Sequence, residues 1–232
     1  MMVDIFSAFD PATNSIFNSS PQLFWSMASV AALIIHPTMW LMPSRVQSLN
    51  TSLAALMHTQ AQRTFLKNLK GSTTLLASLF ILIILVNFLG VLPYMFSVSS
   101  HLIFALSLGL PLWISLIISG AVTSPSSAAA GLLPAGAPAW LNPFLVLVET
   151  LSILVRPITL SFRLAANMTA GHVIISLVGT YSAYALFLGP SLSLSFLLAV
   201  QTAYSMFEFG VCLIQAYIFC LLLSLYSEDH PA

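Results

Sequence analysis

The chain has 232 residues, of which 59% are hydrophobic and 5% are charged, whereas soluble domains carry roughly 25% charged residues. So few charges cannot cover a water-facing surface, which excludes a soluble globular protein and indicates that lipid is the main solvent. The six basic and six acidic residues cancel, so the net charge gives no indication of a nucleic-acid partner.

The apolar runs predict an all-α membrane protein that forms a single integral membrane domain, 1–232, with about five membrane helices and one interfacial helix. In chain order we predict a first span at 22–42, an interfacial amphipathic helix at 46–70, a hairpin of spans at 73–96 and 102–121, and two long helices at 143–180 and 191–226. The stretch 123–140 is rich in Ser, Pro, Gly and Ala and is predicted to be a loop.

The 46–70 segment is too polar to span a bilayer, but Leu49, Leu53 and Leu56 recur there at helical spacing, which predicts an amphipathic helix at the interface. Four of the six Lys/Arg residues fall between Arg45 and Lys70. The positive-inside rule puts this stretch on the cytoplasm-equivalent side of the membrane. Counting spans from it, we expect the N-terminus outside and the C-terminus inside.

The last two apolar runs are longer than a membrane requires. A helix of 38 residues extends roughly 57 Å, nearly twice the ~30 Å hydrocarbon thickness. A typical tilt of about 20° cannot absorb that excess, and the sequence is too apolar to extend far into water. We therefore predict a long, steeply tilted antiparallel hairpin.

The first long helix carries a polar stripe. Glu149, Arg156 and Arg163 are spaced by sevens, which places them on one side of a helix, and Asn167 extends the stripe by one turn. A charged group at membrane depth normally faces a partner, a cavity or an ion pathway. The stripe therefore predicts a functional site within the membrane.

The second long helix repeats the pattern with Gln201, Glu208 and Gln215, and Tyr204 lies one turn from Glu208. Facing polar stripes on antiparallel helices make a polar seam through lipid. Nothing in the sequence indicates a wide cavity, so this seam suits protons better than bulky solutes.

Titratable groups flank Arg163 on both sides along the helix axis. Glu149 lies ~21 Å toward the inside and His172 ~13 Å toward the outside, and His172 points to about the opposite side of an ideal helix. This arrangement predicts two half-pathways separated by an arginine rather than a continuous pore. A guanidinium stays protonated at physiological pH, so Arg163 is a poor proton relay. It is a good electrostatic gate, because it would lower the pKa of a carboxylic acid brought beside it.

Each charged residue also has a purely structural interpretation. Arg163 could form an ion pair with Glu149 or Glu208. Arg156 could line an exit route, or it could pair with Glu149 near the inner interface, and we favour the second interpretation.

The remaining polar residues and the cysteines have structural interpretations as well. His172 and Glu208 could form a buried hydrogen-bonded pair, and three amides could hydrogen-bond between helices: Asn167, Gln201 and Gln215. Asn87 is expected to make a packing hydrogen bond. Cys212 and Cys220 lie about 12 Å apart along a helix, too far for a disulfide, and are expected to be inert packing residues. The cysteine and histidine spacing predicts no metal site and no cofactor.

Four stretches resemble subunit a of the rotary F-type ATP synthase in its mitochondrial form. They are "NFLGVLPY" at 87–94, "NPFLVLVETLSILVRPI" at 142–158, "LSFRLAANMTAGH" at 160–172 and "FEFGVCLIQAYIFCLLLSLY" at 207–226. The similarity covers most of the chain from about residue 70 and is most specific over 142–226.

The resemblance implies a role for each residue of the two stripes. Arg163 would be the stator arginine that faces the carboxylate of the rotor ring, and Glu149 would belong to the matrix-side proton half-channel. The half-channel on the intermembrane-space side would be lined by four residues: Asn167, His172, Glu208 and Gln215. Arg156, Gln201 and Tyr204 are candidates for a supporting role.

The resemblance also implies a location and partners. The chain would be a multi-pass protein of the mitochondrial inner membrane, with its N-terminus toward the intermembrane space and its C-terminus toward the matrix. Its partners would be the rotor ring of c subunits, the other membrane and peripheral-stalk subunits, protons and lipid. The start of the sequence shows no cleavable targeting peptide, which favours an organelle-encoded chain.

Rival functions remain open from sequence. A self-contained proton-coupled transporter would show an internal repeat, whereas the two halves here differ in helix length and polarity. An intramembrane metalloenzyme using His172 and Glu208 would need a ligand motif such as HExxH, which the sequence lacks. The sequence has no P-loop either, so we expect a proton-channel subunit that is not itself an enzyme.

Overall fold

The computed structural model describes residues 9, 26, 45–64, 71–92, 97–131 and 139–228. Regular structure in these ranges is helical throughout, which confirms the predicted all-α class. Short 3₁₀ turns lie at Val98–Ser100 and Ala139–Leu141. The α-helices of the described ranges are α1 (Arg45–Arg63), α2 (Ser72–Val91), α3 (Leu102–Thr123), α4 (Pro125–Gly131), α5 (Asn142–Leu188) and α6 (Ser191–Glu228).

Four of these helices, α2, α3, α5 and α6, are long and apolar enough to cross a membrane. The predicted first span, 22–42, lies outside the described residues except for Ser26. A helix is present in the range predicted for the interfacial segment, as α1, and the last part of that range, 65–70, also lies outside the described residues.

Helix α5 extends eight residues beyond its predicted end at 180 and reaches Leu188. Its polar residues do not interrupt it, because Thr180 and Ser182 donate their hydroxyls to the carbonyls one turn earlier, at 2.8 Å each. The helix ends where the Gly189 N–H donates to the Ala185 carbonyl at 3.0 Å and a proline follows. The result is a 47-residue helix of roughly 70 Å.

The stretch predicted as a loop at 123–140 contains the helix α4. Pro125 is its first residue, where the missing N–H costs nothing, and three alanines with high helix propensity follow. The loop prediction was wrong over 125–131 because it weighed the prolines and glycines more than the alanines.

The chain divides into two compact units. The first includes Ile81–His101 and Leu164–Ala216. Here the end of α2 packs against both long helices. A β-carbon on Gly90 would lie 3.4 Å from the Met168 side chain, and the rings of Phe88 and Phe209 are 5.8 Å apart.

The second unit includes Leu102–Arg163 and the last turns of α6. Ser161 donates its hydroxyl to the Ala105 carbonyl of α3 at 3.2 Å. The Cys220 thiol lies 3.9 Å from the Leu76 carbonyl. Both cysteines, Cys212 and Cys220, are buried and reduced, as expected.

Within the first unit, α5 and α6 run antiparallel from the short turn at Gly189 and Pro190. Gly171, 18 residues before Gly189, faces Glu208, 18 residues after Pro190. The Cys212 thiol lies 3.8 Å from the Met168 sulfur, further from the turn. The turn thus sets which polar residues of the two helices meet.

Candidate functional site

The first unit buries a carboxylate in an apolar environment. Glu208 on α6 is 3% exposed, and neither of its carboxylate oxygens has a hydrogen-bond partner among the described residues. The side chain lies against α5 at Gly171, where a β-carbon would overlap the carboxylate. The missing side chain of Gly171 therefore makes the space that the acid occupies.

His172 follows Gly171 on α5 and is half-buried. Its Nε2 atom is buried without a hydrogen-bond partner in the described part of the chain, and the Phe9 ring lies edge-on to its imidazole at 6.2 Å. Neither Glu208 oxygen is paired there either. The described residues therefore do not contain the buried hydrogen-bonded pair of His172 and Glu208.

Asn167 and Gln215 connect the two long helices. The Asn167 Nδ2 donates to the Gln215 Oε1 at 2.8 Å, while the buried Gln215 Nε2 has no partner among the residues described. The interhelical hydrogen bond that the structural alternative for these amides allowed is present. The buried Gln215 NH₂ group nevertheless remains available to donate to another acceptor.

Gln201 and Tyr204 lie nearer the turn. Ser182 donates its hydroxyl to the Gln201 Oε1 at 3.5 Å, which matches the interhelical interpretation of Gln201. The Tyr204 ring packs at 6.0 Å from Phe207 on the same helix.

Glu149 and Arg156 meet in the second unit. An Arg156 guanidinium nitrogen lies 3.5 Å from a Glu149 carboxylate oxygen, and the guanidinium sits over the Tyr226 ring at 5.5 Å from its centre. The ion pair is the contact that the structural interpretation of Arg156 named, and the cation–π contact with Tyr226 is an additional one.

Arg163 differs from Arg156 in its surroundings. Its side chain is exposed on α5, beside the exposed apolar side chains of Phe162 and Ile158. Among the described residues, the ion pair of Glu149 is with Arg156, and no ion pair of Arg163 is found. Arg163 is thus an exposed arginine on a largely apolar helix, with no ion pair in the described part of the chain.

Two residues of the first unit were missed or misread in the sequence. Gly171 carries no signal of its own, although its distance from the turn, equal to that of Glu208, could have identified it. Asn87 was expected to make a packing hydrogen bond. Asn87 is 1% exposed, and neither polar atom of its amide has a hydrogen-bond partner in the described ranges. The expected packing hydrogen bond is therefore not found there, and the expectation was wrong within those ranges.

Metal ligation finds no support in the ranges that the structure describes. No group of three or more His, Cys, Asp or Glu side chains that could hold a metal ion occurs there. The first unit thus holds a buried acid, a histidine and amides, and the second unit, by itself, holds an ion pair and an exposed arginine.

Comparisons with a family model and with individual known proteins agree on one family. Residues 22–228 match the model of the family described as ATP synthase A chain. The chain is 40% identical over 233 residues to ATP synthase subunit a of Locusta migratoria and 41% identical over 234 residues to that of Drosophila melanogaster. The protein of the same name from Aedes albopictus is 40% identical over 234 residues. Each match covers 99% of both chains.

Proposed function

Because the chain belongs to the ATP synthase A chain family, we propose that it is the proton-translocating stator subunit of a mitochondrial ATP synthase. It provides two offset proton half-channels against a rotor ring and couples proton flow to rotation. Nucleotide chemistry takes place on other subunits, so this chain is a component of the enzyme and not an enzyme by itself.

The observation that carries the proposal is the buried carboxylate of Glu208. An acid that is 3% exposed and has no hydrogen-bond partner among the described residues lowers the stability of the fold, because burying a polar group without a hydrogen bond is unfavourable. Ionisable groups inside a membrane protein commonly mark ion or proton pathways. Glu208 and His172 are therefore the proposed proton-entry residues of the half-channel on the intermembrane-space side.

The amides next to Glu208 complete this half-channel. The hydrogen bond between Asn167 and Gln215 fixes these two residues of α5 and α6 next to each other. The unpaired Gln215 Nε2 can donate a hydrogen bond to a water molecule of the half-channel. Gln201 and Tyr204 have a supporting role at the turn side of the same unit.

Arg163 is the proposed electrostatic gate. An exposed guanidinium on an apolar spanning helix is costly unless it faces an acid, and this chain offers it none among the described residues. A rotor carboxylate that moves past Arg163 would supply that acid from outside the chain. The positive charge favours the deprotonated form of this carboxylate and thereby prevents a proton from crossing directly between the half-channels.

The matrix-side half-channel is assigned to Glu149. It lies ~21 Å along α5 from Arg163, on the opposite side from His172. Arg156 holds this carboxylate at 3.5 Å and stacks on Tyr226, which gives it a positioning role. With the basic stretch at 45–70 in the matrix, the N-terminus faces the intermembrane space and the C-terminus the matrix.

The proposed partners are the c subunits of the rotor ring and the remaining membrane and peripheral-stalk subunits. The steep tilt of α5 and α6 belongs to this proposal. With 47 residues, α5 extends roughly 70 Å, more than twice the ~30 Å thickness of the hydrocarbon core, and a steep tilt accommodates that length.

The deciding experiment replaces Arg163 by Gln in the assembled complex and follows ATP-driven proton pumping in vesicles. We expect pumping to be lost while assembly is retained, because the exposed side chain makes no ion pair with the described part of its own chain. Arg156→Lys is the matched control, since lysine keeps the ion pair with Glu149, and it should retain most of the activity. Normal pumping by an intact Arg163→Gln complex would disprove the gate.

A further inference from the structure

Helix α1 presents three different surfaces around its axis. At 100° per residue, one stripe of exposed side chains covers about 80° of the helix. We call it the Leu/Arg stripe, and it consists of Arg45, Leu49, Ser52, Leu56, Thr59 and Arg63.

The side of α1 that packs on the protein lies elsewhere. Met57 and Ala61 are 1% and 0% exposed, and they point about 140° away from the centre of the Leu/Arg stripe. Gln60, next to them, donates its Nε2 to the Tyr217 hydroxyl at 3.2 Å. These contacts fix the rotation of α1 about its axis, so the exposure of the stripe is a property of the fold.

A third sector of α1 is polar and exposed. It contains Thr51, His58 and Gln62, and the Gln62 amide lies 2.9 Å from a His58 ring nitrogen. A helix with a protein-facing side, a polar side and a stripe of exposed leucines between two arginines is built to lie where protein, water and a third phase meet.

The chemistry of the Leu/Arg stripe identifies that third phase. Leu49 and Leu56 are 64% and 60% exposed, and an arginine stands at each end of the stripe, ~27 Å apart along the axis. Neither arginine has an ion pair among the described residues, and no acidic residue occurs between Asp10 and Glu149. The occupant must therefore be apolar at the centre and anionic around it.

We propose that the Leu/Arg stripe of α1 is a binding surface for anionic phospholipids. The leucines enter the boundary between head groups and acyl chains, and Arg45 and Arg63 contact the phosphates. Position along the chain agrees with this assignment, since only eight residues lie between Arg63 and Ser72, the first residue of a spanning helix. The inference does not depend on the proton pathway.

The test uses the assembled complex in nanodiscs and a fluorescent label at Ser52→Cys, in the centre of the stripe. Gln62→Cys, in the polar sector, carries the same label as the matched control. Cys212 and Cys220 are buried and do not compete for the label. Quenching is compared between a spin-labelled phosphatidylglycerol, a phosphatidylcholine with the same spin label, and aqueous iodide.

We expect the label at position 52 to be quenched more by phosphatidylglycerol than by phosphatidylcholine and to be shielded from iodide, and the label at 62 to be quenched by iodide. Each arginine near an anionic surface is worth a factor of about five, so Arg45→Gln with Arg63→Gln should lower the phosphatidylglycerol preference roughly 25-fold. Arg45→Lys with Arg63→Lys should keep it, and in the unsubstituted stripe the preference should fall as salt is raised.

Three results would overturn the proposal. Equal quenching by the two lipids would show a surface without selectivity for anionic head groups. Strong iodide quenching at position 52 would show that the stripe faces water. Shielding from both lipids and iodide would show that another subunit covers it.

Discussion

The carboxylate of Glu208 occupies the space that a β-carbon on Gly171 would fill. The overlapping atoms are the end of a flexible side chain and not backbone, so a larger residue at 171 would displace the acid before it displaced a helix. A substitution at Gly171 can therefore move the buried carboxylate without changing how the two helices of the hairpin pack. Mutagenesis at this pair tests the proton-entry role of Glu208 without touching Glu208 itself.

Gly171→Ala should slow ATP-driven proton pumping by roughly tenfold or more, because an acid moved by about an ångström no longer meets its proton partners. The amount of assembled complex should stay unchanged. Gly179→Ala is the matched control on the same helix, since a β-carbon there would lie 4.0 Å from its nearest neighbour, the Gln201 Nε2. Normal pumping by the Gly171 variant would show that the carboxylate position is not critical.

Glu208→Gln tests the acid directly. The substitution keeps the shape and removes the titratable group, so we expect proton transport to fall roughly 10²-fold while the complex assembles normally. Ser205→Ala, three residues earlier on α6, is the control, because the Ser205 hydroxyl donates only to its own helix at the Thr202 carbonyl. Pumping by vesicles containing each variant is the measurement, and an active Glu208→Gln complex would remove the acid from the pathway.

The hydrogen bond between Asn167 and Gln215 predicts energetic coupling between these two positions. In a double-mutant cycle of Asn167→Ala and Gln215→Ala, the double variant should lose little more proton transport than the worse single variant. Asn167→Ala combined with Gln201→Ala, which shares no bond with Asn167, should show additive losses. Additivity in both cycles would mean that the bond between Asn167 and Gln215 does not position the pathway.

Asn87→Leu should leave assembly intact and slow proton transport several-fold. The amide makes no protein hydrogen bond within the described residues, so leucine of similar size breaks no contact there, and it removes a burial cost of about 1–3 kcal/mol. A buried amide of this kind pairs with water, and the proposed half-channel requires water. Ser78→Ala, an exposed site on the same helix, is the control. Unchanged transport with raised thermal stability would place Asn87 outside the pathway.

The helices and the chemistry of the site could be predicted from local patterns. Apolar runs identified the long helices, and the spacing by sevens placed Glu208 and Gln215 on one side of α6, where the structure has both of them buried. These predictions depend only on the geometry of one helix, which is a local property. The helical alanines after Pro125 show the limit, since composition alone did not separate a loop from a short helix.

Contacts between helices could not be predicted in the same way. Arg156 and Glu149 lie on one helix, and their pair was foreseen, whereas the contact of Arg156 with Tyr226 depends on the packing of α6. The fit of Glu208 against Gly171 depends on a side-chain conformation, and the unpaired amide of Asn87 depends on three helices at once. Tertiary packing decides these features, and no periodicity in the sequence records it.

The two-residue turn at Gly189 and Pro190 also restricts how this hairpin can change length. Adding or removing one residue between Gly171 and Glu208 rotates one helix against the other by about 100° and slides it by about 1.5 Å. Every contact between the two helices on the far side of the inserted or deleted residue is then lost at once, whereas a substitution disturbs the contacts of one side chain. We therefore expect the hairpin to accept new side chains at many positions but to keep a constant number of residues between its polar partners.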